Sequence, residues 1–110
     1  TLQVGNFKLY PMGSNQFNAS EIVSLFLQVN MKDGKVNLDP QFVLLQSGRI
    51  HGDIPFEIVK ESWNKNAEIR NIVYKLNFAN FSPGEYMLDI RLMNALNDQV
   101  IEKRILINLL

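Results

Sequence analysis

The sequence predicts an all-β fold, with about seven antiparallel strands packed as two sheets around one core. Three observations carry this reading. Apolar residues recur with period two in four separate stretches, and turn-forming residues punctuate the chain at intervals of roughly ten to fifteen positions. No stretch carries the 3.6-residue period of an amphipathic helix, so two packed sheets account for the pattern better than alternating β and α units.

Val23, Leu25, Leu27 and Val29 alternate with Ser24, Phe26, Gln28 and Asn30, the pattern of a strand with one face in a core. Ile72, Tyr74, Leu76 and Phe78 form a second series, and Tyr86, Leu88, Ile90 and Leu92 a third. Ile101, Ile105, Ile107 and Leu109 form a fourth, interrupted by Lys103. Weaker runs cover residues 4–10, 41–46 and 54–59, each bounded by Gly, Pro or Asn/Asp turn chemistry. The connection over residues 11–20 is polar and long for a hairpin. The first strand therefore either sits apart from the second or crosses between sheets, which implies Greek-key topology. Asp33-Gly34, Gly48, Gly52, residues 64–67, Ser82-Pro83-Gly84 and Asn97-Asp98 supply the remaining turns. The expected core is the in-phase set Val23, Leu25, Leu27, Val29, Tyr74, Leu76, Phe78, Leu88, Ile90 and Leu92.

Length and composition narrow the function. A chain of 110 residues has the size of one compact domain, expected to span 1–110. No apolar run approaches the about 20 residues that cross a bilayer as a helix, so no membrane insertion is expected. Eleven basic side chains balance eleven acidic ones, leaving no long-range field to attract nucleic acid. The absence of cysteine excludes disulfides, zinc-thiolate sites and thiol nucleophiles. The opening Thr1-Leu2-Gln3-Val4, without an initiator Met or a basic and apolar leader, is the start expected of a domain excised from a longer chain.

The stretch Phe81-Ser82-Pro83-Gly84-Glu85-Tyr86, continuing through Met87-Leu88-Asp89-Ile90-Arg91-Leu92, resembles the turn and strand of immunoglobulin-like and fibronectin-type domains. Together with Leu9-Tyr10-Pro11 and the closing Ile105-Leu106-Ile107-Asn108-Leu109, it is similar to the sandwich modules of bacterial exported proteins, including those with a von Willebrand factor A-related domain. The resemblance implies an immunoglobulin-like Greek-key sandwich in an extracytoplasmic protein. It also implies structural roles for Pro83, Gly84 and Tyr86, with the Tyr86 hydroxyl bonded to backbone a few residues upstream. It brings no active site with it.

The side chains that could carry chemistry are few. His51 stands near Asp53, but one imidazole and one carboxylate are too few ligands for zinc, and no nucleophile stands beside them, so a solvated loop histidine is the simpler reading. Asp33, Asn37 and Asp39 could offer oxygens to calcium, yet their spacing is not that of an EF-hand loop and turn formation explains them. Asn18-Ala19-Ser20 and Asn80-Phe81-Ser82 match the glycosylation sequon, which is without meaning in a bacterial source. Trp63 could stack on a sugar, although a lone aromatic at a strand end more often covers a core edge. No catalytic residue, metal or cofactor is expected.

The last two strands should form a hairpin across residues 95–98, with Asn94 facing Gln99. Counting outward pairs Met93 with Val100, Arg91 with Glu102, Asp89 with Arg104 and Met87 with Leu106 on the outer face. The core face then receives Leu92 with Ile101, Leu88 with Ile105 and Tyr86 with Ile107, while Ile90 meets Lys103. The outer face, with Met87, Asp89, Arg91, Met93, Glu102, Arg104 and Leu106, is the expected interaction surface. The function expected is a non-catalytic binding or spacer module of a larger exported protein, acting on neighbouring domains or another protein. The alternative is a carbohydrate-binding or inhibitory accessory domain of a secreted hydrolase, which requires Trp63, Tyr10 and His51 to converge.

Overall fold

The computed structural model describes residues 3–10, 16–30, 38–95 and 99–110, the first of these segments as backbone. Among the described residues there are nine strands and no helix. In chain order they are β1 (Gln3–Tyr10), β2 (Gln16–Phe17), β3 (Val23–Asn30), β4 (Leu38–Gln46), β5 (Arg49–Asp53), β6 (Phe56–Asn64), β7 (Ile69–Leu76), β8 (Gly84–Asn94) and β9 (Gln99–Leu109). One sheet has the order β1-β3-β7-β6 and the other β2-β9-β8-β4-β5. Every pairing is antiparallel except the short β2–β9 contact, which is parallel. The expected first strand neither sits apart from the second nor crosses between sheets: β1 pairs with β3 along its length, and only the two-residue β2 between them belongs to the other sheet.

Three features depart from about seven antiparallel strands. β5 occupies a stretch in which Gly48 and Gly52 signalled only turns. It exists because Ser47 (φ 54°) and Gly48 (φ 78°) take the left-handed conformations of a two-residue hairpin turn, which brings Arg49 opposite Gln46. β6 continues past the expected end at Val59, paired with β7 as far as Asn64 opposite Ile69. All nine of its residues are exposed, and the ladder slips between Ile58 and Lys60, so no alternation marks its second half. β2, only two residues long, is too short to leave a periodic trace.

The two sheets close on one cluster of buried side chains, and all ten expected core residues lie in it. β3 is the simplest case, with every second residue buried from Val23 to Val29. Phe17, Phe42, Leu44, Ile54, Ile72, Phe81, Tyr86, Ile107 and Leu109 complete the interior. An aromatic trio ties the sheets together. The Phe42 ring from β4 meets the Tyr74 ring from β7 edge-on at 5.1 Å and the Phe56 ring from β6 at 5.0 Å, while Phe56 and Tyr74 stand 5.7 Å apart. Burial disfavours the phenolate of Tyr74 and pushes its pKa up.

The turn into β8 is held by a side chain. The Tyr86 hydroxyl donates to the Ser82 carbonyl at 2.7 Å, the upstream bond expected for this tyrosine. Pro83 restricts Ser82 to extended backbone, which helps keep that carbonyl in place. Gly84 has φ 155°, and a Cβ added there would meet Gln46 Nε2 at 3.3 Å and the Tyr86 ring at 3.7 Å, so both conformation and space favour glycine. The neighbouring loop is fixed by Asn77 Oδ1, which accepts from the Ala79 amide at 2.9 Å, and by the Phe81 amide, which donates to the Phe78 carbonyl at 3.0 Å.

Two outcomes follow. Leu88 is fully buried at the centre of β8, so Leu88→Ala should cost about 2–5 kcal/mol of unfolding free energy in denaturant titration, from lost transfer energy plus a cavity. Removing one oxygen in Tyr86→Phe should cost about 1 kcal/mol, because Ser82 loses its donor. An unchanged denaturation midpoint would show that the bond contributes nothing to the turn.

Candidate interaction face

β8 and β9 pair in the register the sequence implies, from Asn94 opposite Gln99 through Arg91 opposite Glu102 and Asp89 opposite Arg104 to Met87 opposite Leu106. Of the loop between them, residues 96–98 lie outside the described residues. Since side chains alternate, this register sends Tyr86, Leu88, Ile90 and Leu92 inward and Met87, Asp89, Arg91 and Met93 outward. Lys103, opposite Ile90, is exposed and interrupts the apolar series Ile101, Ile105, Ile107 and Leu109 of β9.

On the outer face, four charged side chains form a closed ring. Arg91 Nε donates to Glu102 Oε2 at 2.6 Å and lies 3.5 Å from Asp89 Oδ2. Arg104 Nε lies 3.7 Å from Asp89 Oδ1 and 3.4 Å from Glu102 Oε1. Positive and negative groups thus alternate around a two-by-two array. Both arginines are about half exposed, whereas the Asp89 side chain retains only 5% of its accessible surface. Asp89 sits on a central strand between Val43 of β4 and Arg104 of β9. Among the described residues, no hydrogen-bond donor lies within reach of its Oδ1.

Burial therefore raises the pKa of Asp89, and the negative charge of Glu102 adds to the shift against the opposing pull of Arg104 and Arg91. Glu102 moves the other way, lowered chiefly by the hydrogen bond from Arg91. That same bond is the main reason Arg91 is held more firmly in its charged form.

The apolar outer surface continues beyond β8 and β9. Val43 and Leu45 of β4 stand opposite Asp89 and Met87, and Ile50 of β5 stands opposite Leu45, so they extend the apolar surface across two further strands. Their signal was masked by the uninterrupted run Phe42-Val43-Leu44-Leu45, in which inward and outward residues are equally apolar. Ile50 is 74% exposed, and Val100 and Leu106 are each 53% exposed. A shallow recess of about 230 Å³ opens beside Leu45, Met87, Arg104 and Leu106.

Elsewhere the structure separates the candidate residues. The His51 ring lies against Tyr86 at 5.5 Å and Phe81 at 6.0 Å, at the end of the sandwich reached after β7. Trp63, 37% exposed, is paired with Arg70 at the opposite end of β7, so it does not converge with His51. Nothing is described of the Tyr10 side chain, and Asp33 and Asn37 lie outside the described residues. Asp39 and Asp53 are exposed strand residues, and among the described residues no group of three His, Cys, Asp or Glu side chains is placed to hold a metal ion. Of the sequon asparagines, Asn18 donates to Glu21 Oε1 at 3.0 Å, and Asn80 is exposed in the loop before β8. A larger cleft of about 440 Å³ lies between Ile22, Pro55, Phe56 and Leu76. Its ionisable lining is Glu21, Glu57 and Lys75, without a nucleophile paired to a base.

The position of Asp89 has a measurable consequence. A carboxyl whose pKa is higher in the folded than in the unfolded chain favours the fold below its unfolded pKa, and that contribution is lost as pH rises through the folded value. Asp89→Asn, neutral at all pH, should therefore melt at or above the wild-type temperature at neutral pH. The difference should close as pH falls through the raised pKa of Asp89, where the wild-type side chain itself takes up a proton. A variant that melts lower than wild type at pH 7 would mean that the ionised carboxylate stabilises the ring.

Compared with known proteins, the chain matches no family model, no curated protein and no solved structure.

Proposed function

We propose that this chain is a non-catalytic binding or spacer module of a larger exported protein, an immunoglobulin-like Greek-key sandwich that acts through protein-protein or interdomain contacts. The carrying observation is the outer face of the five-stranded sheet, where exposed Val100, Leu106 and Ile50 and the half-buried Met87 and Met93 surround the paired charges. Apolar area enclosing paired charges is the composition of a modest protein interface, and a face covering parts of four strands is wide enough to serve as one.

The strand order supports the fold assignment. Immunoglobulin sandwiches carry strands A, B, E and D in one sheet and C, F and G in the other, with C′ added next to C in variable-type domains. Taking β1, β3, β7 and β6 as A, B, E and D, and β9, β8, β4 and β5 as G, F, C and C′, reproduces both orders. The Tyr86–Ser82 bond at the entry to β8 falls where these domains place a tyrosine corner. An accessory role in carbohydrate binding loses its basis with the separation of Trp63 from His51.

Met87 and Met93 report on this face. In hydroxyl-radical footprinting they should oxidise more slowly in the protein within its native extract than in the purified chain at high dilution. Equal rates in the two preparations would overturn the reading, because the face would then be open to water in both.

A further inference from the structure

The outer face of the β8–β9 hairpin reads the same from either end. Along β8 the outward residues are Met87, Asp89, Arg91 and Met93; along β9, in the same rows, they are Leu106, Arg104, Glu102 and Val100. Each strand therefore shows an apolar residue, two charges of opposite sign and a second apolar residue. Across the strands, each charge again faces its opposite. A surface of this kind is complementary to itself. A two-fold axis lying in the plane of the face, perpendicular to the strands and between the Asp89 and Arg91 rows, sets Asp89 against Arg91 of a second copy. It sets Arg104 against Glu102, Met87 against Met93 and Leu106 against Val100 of that copy. No like charges meet, and apolar residues meet apolar residues. The same axis lays β4 on β4 and uses the width of the sheet, including Val43, whereas an axis parallel to the strands would carry β4 past the far edge formed by β9 and β2.

We infer that the partner of this face is a second copy of the chain, joined across that perpendicular two-fold axis as a face-to-face homodimer. The inference rests on the reading of the face as a docking surface and names its occupant. The charges decide the occupant, because a second copy brings a guanidinium over each carboxylate and a carboxylate over each guanidinium of the four. Each arginine has five N–H donors in a planar fork, so donors remain after the contacts within the chain are made. Two aligned sheets in face-to-face packing are a common arrangement, and the symmetry makes every contact occur twice.

Sedimentation equilibrium of the purified chain over a range of concentrations, in low salt, should show monomer in exchange with dimer and no larger species. Arg104→Glu sets two carboxylates against each other at each of the two symmetric contacts, and Glu102→Arg sets two guanidinium groups against each other there. Both positions are exposed, so each variant should keep the wild-type circular dichroism spectrum while its dimer dissociation constant rises about tenfold or more. Mixing the two variants restores opposite charges at both contacts and should return association to near the wild-type strength. A wild-type chain that stays monomeric up to its solubility limit would overturn the homodimer, and so would a dimer that neither swap weakens. Dimers weakened by both swaps but not restored by mixing would overturn the perpendicular axis. A monomeric chain whose Met87 and Met93 are still protected in native extract would remove the second copy as partner and leave the docking reading standing; a monomeric chain without that protection would remove both.

Discussion

The structure depends on the register of one ladder. A slip of β9 by a single residue against β8 would carry Ile101, Ile105, Ile107 and Leu109 into water and turn Glu102 and Arg104 toward the core. Such an exchange fails twice, because apolar area is exposed and charges are desolvated without partners. The register is therefore held from both sides of the sheet at once. Since β8 also pairs with β4 along most of its length, the same choice determines which residues of β4 look inward. Phe42 and Leu44 enter the core, where Phe42 meets the aromatic rings of the opposite sheet, and Val43 and Leu45 stay outside.

The strength of that constraint explains what could be read from the sequence. β3, β7 and β8 have one dry face and one wet face, so period-two alternation is written into their residues, and every expected core side chain is buried. β9 was legible in spite of Lys103 because its charged residues acquire partners only in the correct register. The elements that escaped are those for which burial imposes no pattern. β5 is exposed along most of its length and carries Gly52, and β6 is exposed throughout. β4 failed in the opposite sense, since its outward residues are as apolar as its inward ones. The burial of Asp89 could not be read either: charge and position assign it to solvent, and its place on a central strand, with β4 on one side and β9 on the other, is a property of the assembled sheet.

Edges and faces divide the surface into two kinds of opportunity. β6 is a nine-residue edge with Phe56, Ile58, Val59 and Trp63 exposed, which would ordinarily invite another strand to pair with it. It is interrupted by the irregularity between Ile58 and Lys60, and Glu57, Lys60 and Glu61 add charge along it. Two of those acids are already committed within the sheet, Glu61 lying 3.3 Å from Arg70 and Glu57 lying 4.0 Å from Lys75. A kinked, charged edge resists the extended ladder that strand addition requires. The outer face of the other sheet has no comparable obstruction, because β8 and β9 pair without a shift along eleven residues and present their side chains in straight rows.

The ring of charges on that face is better understood as a device for selection than as a source of stability. Four surface charges at these distances contribute little to folding, since solvent screens the exposed members and Asp89 is desolvated without a full set of donors. Apolar residues in the same four places would leave a larger and stickier patch, able to bind any greasy surface in any orientation. The alternating ring forbids most of those encounters, because an uncharged partner would strip water from the arginines and carboxylates without replacing it. It accepts only a surface with the complementary alternation at the same spacing. A second copy of the face meets that requirement by symmetry, and it does so in one orientation, the one that sets each charge of Arg91, Asp89, Glu102 and Arg104 against its opposite.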